Sequence, residues 1–583
     1  MVLVNGIIKA DGNFITYRVS TPGSATALSR NATTPDYITS PPPLIYCDTG
    51  HQLVGVDTFL VRSDSNVGNT FYRPVVSPKG HVYRNGTYGT WSYLDAVLWN
   101  PSEGKLLWWV QGSNRLATDL LTCTDPLTWT REANVLLNHD SAVHGRDWAA
   151  VVLNPDTSDA SKKFIRVGAD GNTYDGQGLG LWYSGDGRTW TEGTRGHVSL
   201  TGTDAEAASF GYDPYRNVWW IAPRTTLMVD YKGNWDPNSP NGYRAGDTCA
   251  NPGDGNYYRF MGASGSSNGF PRATGDANWA RLKIPLGDTS NGNPYLRVLR
   301  YREAPDVETL ITRAWGAYYN NVWLCPDTLD VNLNTGAPTG FVPELYTMAK
   351  VPHGNCWVGL MAIYHGDGSG PPYEHRTNTQ TAFSRDGFQW TRPADRTPFI
   401  PWDADASEAN WKKNYALPVS TGYLLDPVAG TLHFPIAGAN NSPQAEFGGC
   451  GWATLRQDGF ASLDGNASEC VFITRVIRWP ADAIALWINA DAAGGTVYVE
   501  VCDPNGSSLK FLAEANSIPC RANNLRHLVR WRAGSFAPAI AERRGLPVIL
   551  KFYLTNAKLY SFWFTKDNLT DNLGEVNLWP RAR

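Results

Sequence analysis

Acids embedded in otherwise apolar stretches are the residues best placed to do chemistry in this chain, because a carboxylate among apolar side chains is costly unless it is used or paired. Asp95 stands in YLDAVLWNP six residues before Pro101, and Asp147 in GRDWAAVVLNP eight before Pro155. Asp204 and Glu206 stand in TDAEAASFGYDP ten and eight before Pro214. All these offsets are even, so strands anchored at the same Asn/Asp-Pro turn would present the acids on one face. Glu344 in PELYTMAKVPHG occupies a similar run, whereas WKKNYALPV supplies Trp411, Asn414 and Tyr415 instead of an acid. Two or three converging carboxylates are what cleavage of a glycosidic bond needs: one protonates the leaving oxygen, and another activates water or attacks the anomeric carbon. A third tunes the proton donor through like-charge repulsion. Trp91, Trp148, Trp411 and Tyr415 lie near these acids and are the rings available to stack on a sugar, with Arg146 and Asp204 as polar neighbours. The bland alternative is that each acid caps a strand start or pairs with a neighbour such as Arg146.

Other chemistries have less support. His81, His144, His353 and His365 show no HExxH-like ligand spacing, and no Walker loop or GxGxxG fingerprint occurs, so no metal and no cofactor is expected. Lys+Arg 50 against Asp+Glu 54 leaves a formal charge of -4, with no footprint for nucleic acid or anionic lipid. No apolar window approaches the ~18 residues of a membrane span, and MVLVNGIIKADGNF lacks the pattern of a secretory signal, so neither is expected. Nine widely spaced cysteines without a CxxC pair read as reduced, packed thiols.

The elements that must position these acids are strands. Helical periodicity is scarce, and short apolar or alternating runs bounded by Gly, Asn, Asp and Pro recur (KLLWWVQG, NVWWIAP, VGLMAIYHG), which predicts an all-β chain. A weak repeat punctuates them: CTDPLTWT at 123–130, SGDGRTWT at 184–191 and SRDGFQWT at 384–391. In each, Asp caps a tight turn, Gly or Pro supplies the turn dihedrals, and Trp129, Trp190 or Trp390 packs between adjacent sheets. Degenerate copies at 304–310 and 456–462 bring the Asp series to 125, 186, 306, 386 and 458. Five units, each a strand, an Asn/Asp-Pro turn, an apolar strand, an Asp hairpin and a strand, predict a five-bladed β-propeller followed by a β-sandwich. The expected boundaries are an N-terminal arm over 1–43, the propeller over 44–463 with an insertion at about 230–295, and the sandwich over 464–583. The strand near 57–62 (DTFLVR) is a candidate to close the last blade.

SRDGFQWTRPADRTPFIP, PELYTMAKVPHGNCWVGLMAIYH, ATLRQDGFASLDG and the tail from LWINADAAGGTVYVEV to KLYSFWF resemble a group of bacterial, often planctomycete, five-bladed propeller proteins with a C-terminal β-sandwich. That group is related to glycoside hydrolase families 32 and 43, the fructosidases and arabinanases. The resemblance implies a glycosidase acting on a poly- or oligosaccharide, with Asp95 as nucleophile or base, Asp147 beside Arg146 as transition-state stabiliser, and Glu206 as acid with Glu344 as its rival. A WMNDPNG-like start is missing, which leaves both retaining and inverting chemistry open. Two other readings stand beside it. One is a non-catalytic carbohydrate-binding or structural protein of a cell surface or virion, and the other is a propeller polysaccharide lyase using a His or Arg base.

Overall fold

Runs rich in β-branched and aromatic residues, cut by Gly, Asn, Asp and Pro, fold as strands throughout the computed structural model. Its α-helices among the described residues are the short segments Asp36–Thr39, Val307–Thr312 and Phe536–Ala541. The described residues are chiefly 35–77, 94–137, 149–194, 209–228, 295–312, 343–365, 376–403, 415–439 and 449–566, with short internal breaks and isolated strands elsewhere.

Five strands matter most for the site: β1 (Leu94–Asn100), β2 (Ala149–Leu153), β3 (Ser209–Asp213), β4 (Glu344–His353) and β5 (Tyr415–Pro418). Each opens an antiparallel set. β1 is followed by Lys105–Gln111, Ala117–Asp125 and Thr128–Leu137, and β2 by Phe164–Asp170, Gly178–Ser184 and Thr191–Glu192. β3 pairs with Val218–Ala222, whose chain runs on as Arg224–Met228, and the return strands are Tyr295–Arg300 and Arg302–Ala304. The segment between 228 and 295 therefore extends the hairpin joining the second and third strands of this set. Its described strands, Tyr231–Asn234, Thr248–Ala250, Tyr257–Phe260 and Trp279–Leu282, form a sheet of their own. β4 is followed by Cys356–His365 and Arg376–Ser384, and β5 by Thr431–Ala439, Gly449–Arg456 and finally Val75–Val76.

The opening strands pack side by side in chain order, β1 on β2, β2 on β3 and β3 on β4. The circuit returns to β1 through Thr421, whose Oγ1 accepts from the Val97 N–H and donates to the Val97 carbonyl, both at 3.0 Å.

The Asp turns act between sheets. Asp386 Oδ1 accepts from the N–H groups of Phe388 (2.8 Å) and Gln389 (2.7 Å), while Gly387 adopts φ +69. Asp186 does the same for Arg188 and Thr189, with Gly187 at φ +75. The preceding set reaches over to each turn: Trp109 Nε1 donates to the Gly187 carbonyl at 2.8 Å, and Trp323 Nε1 to the Phe388 carbonyl at 2.9 Å. The repeat tryptophans pack in the same sense, Trp190 on Trp109, Trp390 on Trp323 and Trp129 on Trp452.

Two copies of the repeat depart from the expected hairpin. Asp306 caps the short helix Val307–Thr312 by accepting from the Thr309 N–H at 2.7 Å, and the position expected to be Trp is the fully buried Leu310. Asp458 has φ +59 and turns its side chain into the interior, where it meets His51 Nδ1 (2.6 Å), His353 Nε2 (2.7 Å), Ser561 Oγ (2.5 Å) and Asn489 Nδ2 (3.3 Å). His51 also stacks on Trp563, and Tyr423 closes the cluster against His353 Nδ1 at 2.9 Å.

Beyond residue 460 the chain builds two six-stranded sheets. One contains Asn523–Leu528, Ala485–Asp491, Ala557–Thr565 and Ala461–Gly465, and the other Ile477–Arg478, Pro547–Thr555, Cys470–Thr474 and Thr496–Cys502. Leu486, Ile488, Leu559 and Phe562 from the first share a core with Phe472, Val499, Leu550 and Phe552 from the second. Each such fully buried side chain is worth about 1.5–3 kcal/mol. Residues 45–71 complete both sheets: Gln52–Leu53 and Gly68–Phe71 join the first, and Ile45–Tyr46 and Val61–Ser65 the second. The stretch 57–62 thus does not close the last set around β5. Val61–Ser65 pairs with Cys470–Thr474, and Val75–Val76 takes the closing position.

Candidate functional site

Three of the candidate residues, Asp95, Glu344 and Tyr415, lie at the starting ends of the opening strands. Asp95 is the second residue of β1, and Glu344 is the first of β4. Trp91, Arg146, Asp147, Trp148, Asp204, Glu206 and Trp411 fall outside the described residues. The pairing of β1 with its neighbour slips between Leu94 and Ala96, which makes Asp95 the extra residue of a β-bulge. β4 slips in the same way between Leu345 and Thr347. Such a bulge sets one extra backbone residue of β1 against the neighbouring strand.

Glu344 is 1% exposed. Its Oε1 accepts from the Arg297 N–H at 3.0 Å, and its Oε2 accepts from the guanidinium of the same residue. Burying a carboxylate without such partners costs several kcal/mol, so Arg297 is what makes an acid tolerable here. Arg297 is supplied by the strand that follows the 228–295 segment. Its guanidinium lies 4.6 Å from the Tyr364 ring centroid, and that of Arg224, from the strand leading into the segment, lies 4.5 Å from Tyr346.

Register assembles the rest. Glu344 is opposite Tyr364, Tyr364 opposite Thr377, and Thr377 bridges to Tyr415. Tyr346 and Tyr364 stack with centroids 5.9 Å apart. Tyr415 is 2% exposed, and burial first, then neighbouring Tyr346 and Tyr364, raises its hydroxyl pKa well above the usual phenol value. A carboxylate, two guanidiniums and three phenols therefore share one end of the opening strands. At the edge of this row His365 is buried, its Nδ1 accepting from the Leu333 N–H at 3.1 Å and its Nε2 facing Asn378 at 2.9 Å. Burial lowers its pKa to about 3, so it is neutral at ordinary pH.

The opposite ends of the same strands surround a cavity of about 300 Å³. Leu98, Val152, Phe210, Lys350 and Thr421 contribute to its wall, one from each opening strand or the turn after β5. At ~3.3 Å per residue, Pro352 in that wall is roughly 26 Å along β4 from Glu344. Lys350 sits among Trp357 (4.4 Å), Trp220 (5.1 Å) and Tyr301 (5.4 Å), and burial lowers its pKa to about 8. Of the other histidines singled out from the sequence, His353 is paired with Asp458. No group of three or more metal-ligating side chains occurs among the described residues.

Arg224, Arg297, Tyr346 and Tyr364 were not singled out from the sequence. Tyr346 stands two residues after Glu344 on the same strand, a signal visible in PELYTM, but pairing of Arg297 with Glu344 across 47 residues has no local signature.

The solved structures that this chain resembles include glycoside hydrolases. A thermostable family-43 glycoside hydrolase matches at 9% identity and TM-score 0.36 over 66% of this chain and 96% of its own. A family 117 glycoside hydrolase of the marine bacterium Zobellia galactanivorans matches at 10% identity and TM-score 0.33, over 67% and 92%. An endo-arabinase of Bacteroides thetaiotaomicron matches at 10% and 0.31, over 66% and 97%. No family model matches the sequence, and no curated protein does.

Proposed function

We propose that the chain is a glycoside hydrolase in which a five-bladed propeller over about 75–460 presents acids at the starting ends of its inner strands, joined to a β-sandwich that 464–583 build together with residues 45–71. The observation that carries this reading is the buried Glu344 carboxylate at the start of β4, held by Arg297 within a row of tyrosines. Five opening strands around one axial cavity support the blade count, and the bulge at Asp95 supports a specialised role for that position. Asp95, Asp147 and Glu206 are the acids assigned to bond cleavage, with Arg146, Asp204, Trp91, Trp148, Trp411 and Tyr415 contacting the sugar. Both Glu344 oxygens accept hydrogen bonds, which suits an acceptor or positioning role and leaves proton donation to Glu206.

The test is product analysis of purified protein on a polysaccharide panel. Wild type releases sugar, and Asp95→Asn and Glu206→Gln each lower the rate by 10²-fold or more, the scale of acid–base catalysis, without lowering thermal stability. Stable variants of undiminished activity refute the assignment. The Arg297–Glu344 pair also favours a second reading, in which the carboxylate is structural and the row is a recognition surface for glycans. Glycan binding with no hydrolysis across the panel selects it.

A further inference from the structure

The C-terminal sheets carry a second concave site. A cavity of about 520 Å³ opens where Ala485–Asp491, Asn523–Leu528 and the helix Phe536–Ala541 meet. This volume lies in the range of ~300–1,000 Å³ typical of small-molecule sites. Its wall combines Trp531 and Ile540, which are 2% and 4% exposed, with Ile518, which is 41% exposed. Three guanidinium-bearing residues, Arg530, Arg532 and Arg544, also line it, and all three are exposed.

The charge is segregated. Residues 521–544 contain six arginines and one acid, Glu542, in a chain whose formal charge is -4. Glu542 lies against Arg543 at 3.6 Å, and the nearby Asp482 is bonded to Lys566 at 2.6 Å. Arg544 donates to the backbone carbonyl of Ala483, and among the described residues no carboxylate lies within ion-pair distance of Arg530, Arg532 or Arg544. The chain has therefore placed a positive rim around an apolar, partly aromatic hollow. Guanidinium forks match carboxylate and sulfate oxygens, and an apolar floor suits the C–H face of a pyranose ring.

We infer that this cavity is a binding site for an acidic saccharide, a chain of sugar rings bearing carboxylate or sulfate groups, separate from the Glu344 region. The saccharide part rests on the glycan reading above, and the anionic part rests on the arginine rim alone. A discrete hollow accommodates one or two rings and their charged substituent, whereas a phosphate polymer tracks an extended basic stripe.

The experiment is calorimetric titration of the full chain with three hexasaccharides: a galacturonate, its fully methyl-esterified form and a sulfated galactan. The inference expects the galacturonate, the sulfated galactan or both to bind at least tenfold more tightly than the neutral ester, and which of the two binds identifies the anion. Arg530→Ala combined with Arg532→Ala weakens that binding at least tenfold while leaving the melting temperature unchanged, and Arg544→Ala alone weakens it by a smaller factor. Equal affinity for the ester, undiminished binding by the double variant, or tighter binding of a single-stranded oligonucleotide overturns it. Should the double variant melt early, Ile518→Ser, an exposed change to the floor, replaces it with the same expectation. Sugar release by wild type with no acidic binding at this rim sinks this inference and leaves the proposed hydrolase intact.

Discussion

Substitution of Asp458 is expected to unseat the junction between the last strand set and the C-terminal sheets. Asp458 is 1% exposed and accepts from His51, His353 and Ser561. Asp458→Ala strands those three partners in a buried place, at about 1–3 kcal/mol each. It also puts a non-glycine, non-Asx residue at φ +59, a further ~1 kcal/mol. The sum is roughly 4–10 kcal/mol, a large share of the ~5–15 kcal/mol of a whole domain. Asp458→Asn keeps an acceptor and loses the charge, and is expected to cost about half as much. The histidines and the hydrogen bonds hold the Asp458 pKa well below the ordinary carboxylate value despite burial. A depressed folded pKa contributes stability that is present above the unfolded value near ~4 and is lost as pH falls toward the folded one. The gap between wild type and Asp458→Asn should therefore be full at pH 5–7 and narrow below about pH 4. Urea unfolding at pH 7, 5, 4 and 3 measures it. A cost below about 1 kcal/mol for Asp458→Ala, or a gap that does not narrow in acid, refutes the reasoning.

Four further outcomes are expected. Asp386 has its pKa raised to about 6, chiefly by burial, so its ionisation opposes folding as pH rises from ~4 through ~6; Asp386→Asn, which retains an acceptor, should match or exceed wild-type melting temperature at pH 7.5, whereas Asp386→Ala should fall by about 1–3 kcal/mol in chemical denaturation. Trp109→Phe and Trp323→Phe each remove one indole donor to a turn carbonyl and should cost similar amounts, about 1–2 kcal/mol by the same assay. Gly354→Ala would put a Cβ 2.1 Å from the His51 carbonyl oxygen at φ +60, while Gly104→Ala at φ +64 meets nothing within 4 Å; the first should lower stability by well over 2 kcal/mol and the second by about 1. Arg297→Ala leaves Glu344 buried without its ion-pair partner, so its unfolding free energy should drop by about 3–5 kcal/mol, more than that of Glu344→Gln.

Much of the strand pattern was legible because period-two alternation and Gly, Asn, Asp and Pro punctuation are local properties of the chain. The same holds for the turns at Asp186 and Asp386, where the residues that cap and the residues capped lie within three positions. Legibility failed where long-range partners decide. RQDGFAS has the letters of an Asp turn, yet Asp458 is claimed by His51, just before Gln52–Leu53, and by His353 at the end of β4. APDVETL has the cap but lacks the Trp, and Leu310 fits a helix packed inward. Glu344 was visible as an acid at the start of an apolar run, but Arg297, which holds that acid, follows a long insertion and carries no sequence mark. The bulge at Asp95 carries no sequence mark either, because an extra residue in one strand is set by its neighbour.

The strands at 45–71 have a consequence for how the molecule is made. Asp458 and its partner His51 are 407 residues apart, and Lys558 reaches Tyr72 across 486. At ~5–20 residues per second of synthesis, early strands wait roughly 20–80 s for the sheet they belong to. During that interval their unpaired edges are exposed, and the set around β5 can recruit Val75–Val76 only from a chain already emerged. Folding of this protein is therefore a closing of loops of very high contact order, slow by topology, and its yield in a cell depends on whatever shields those first strands until the last ones arrive.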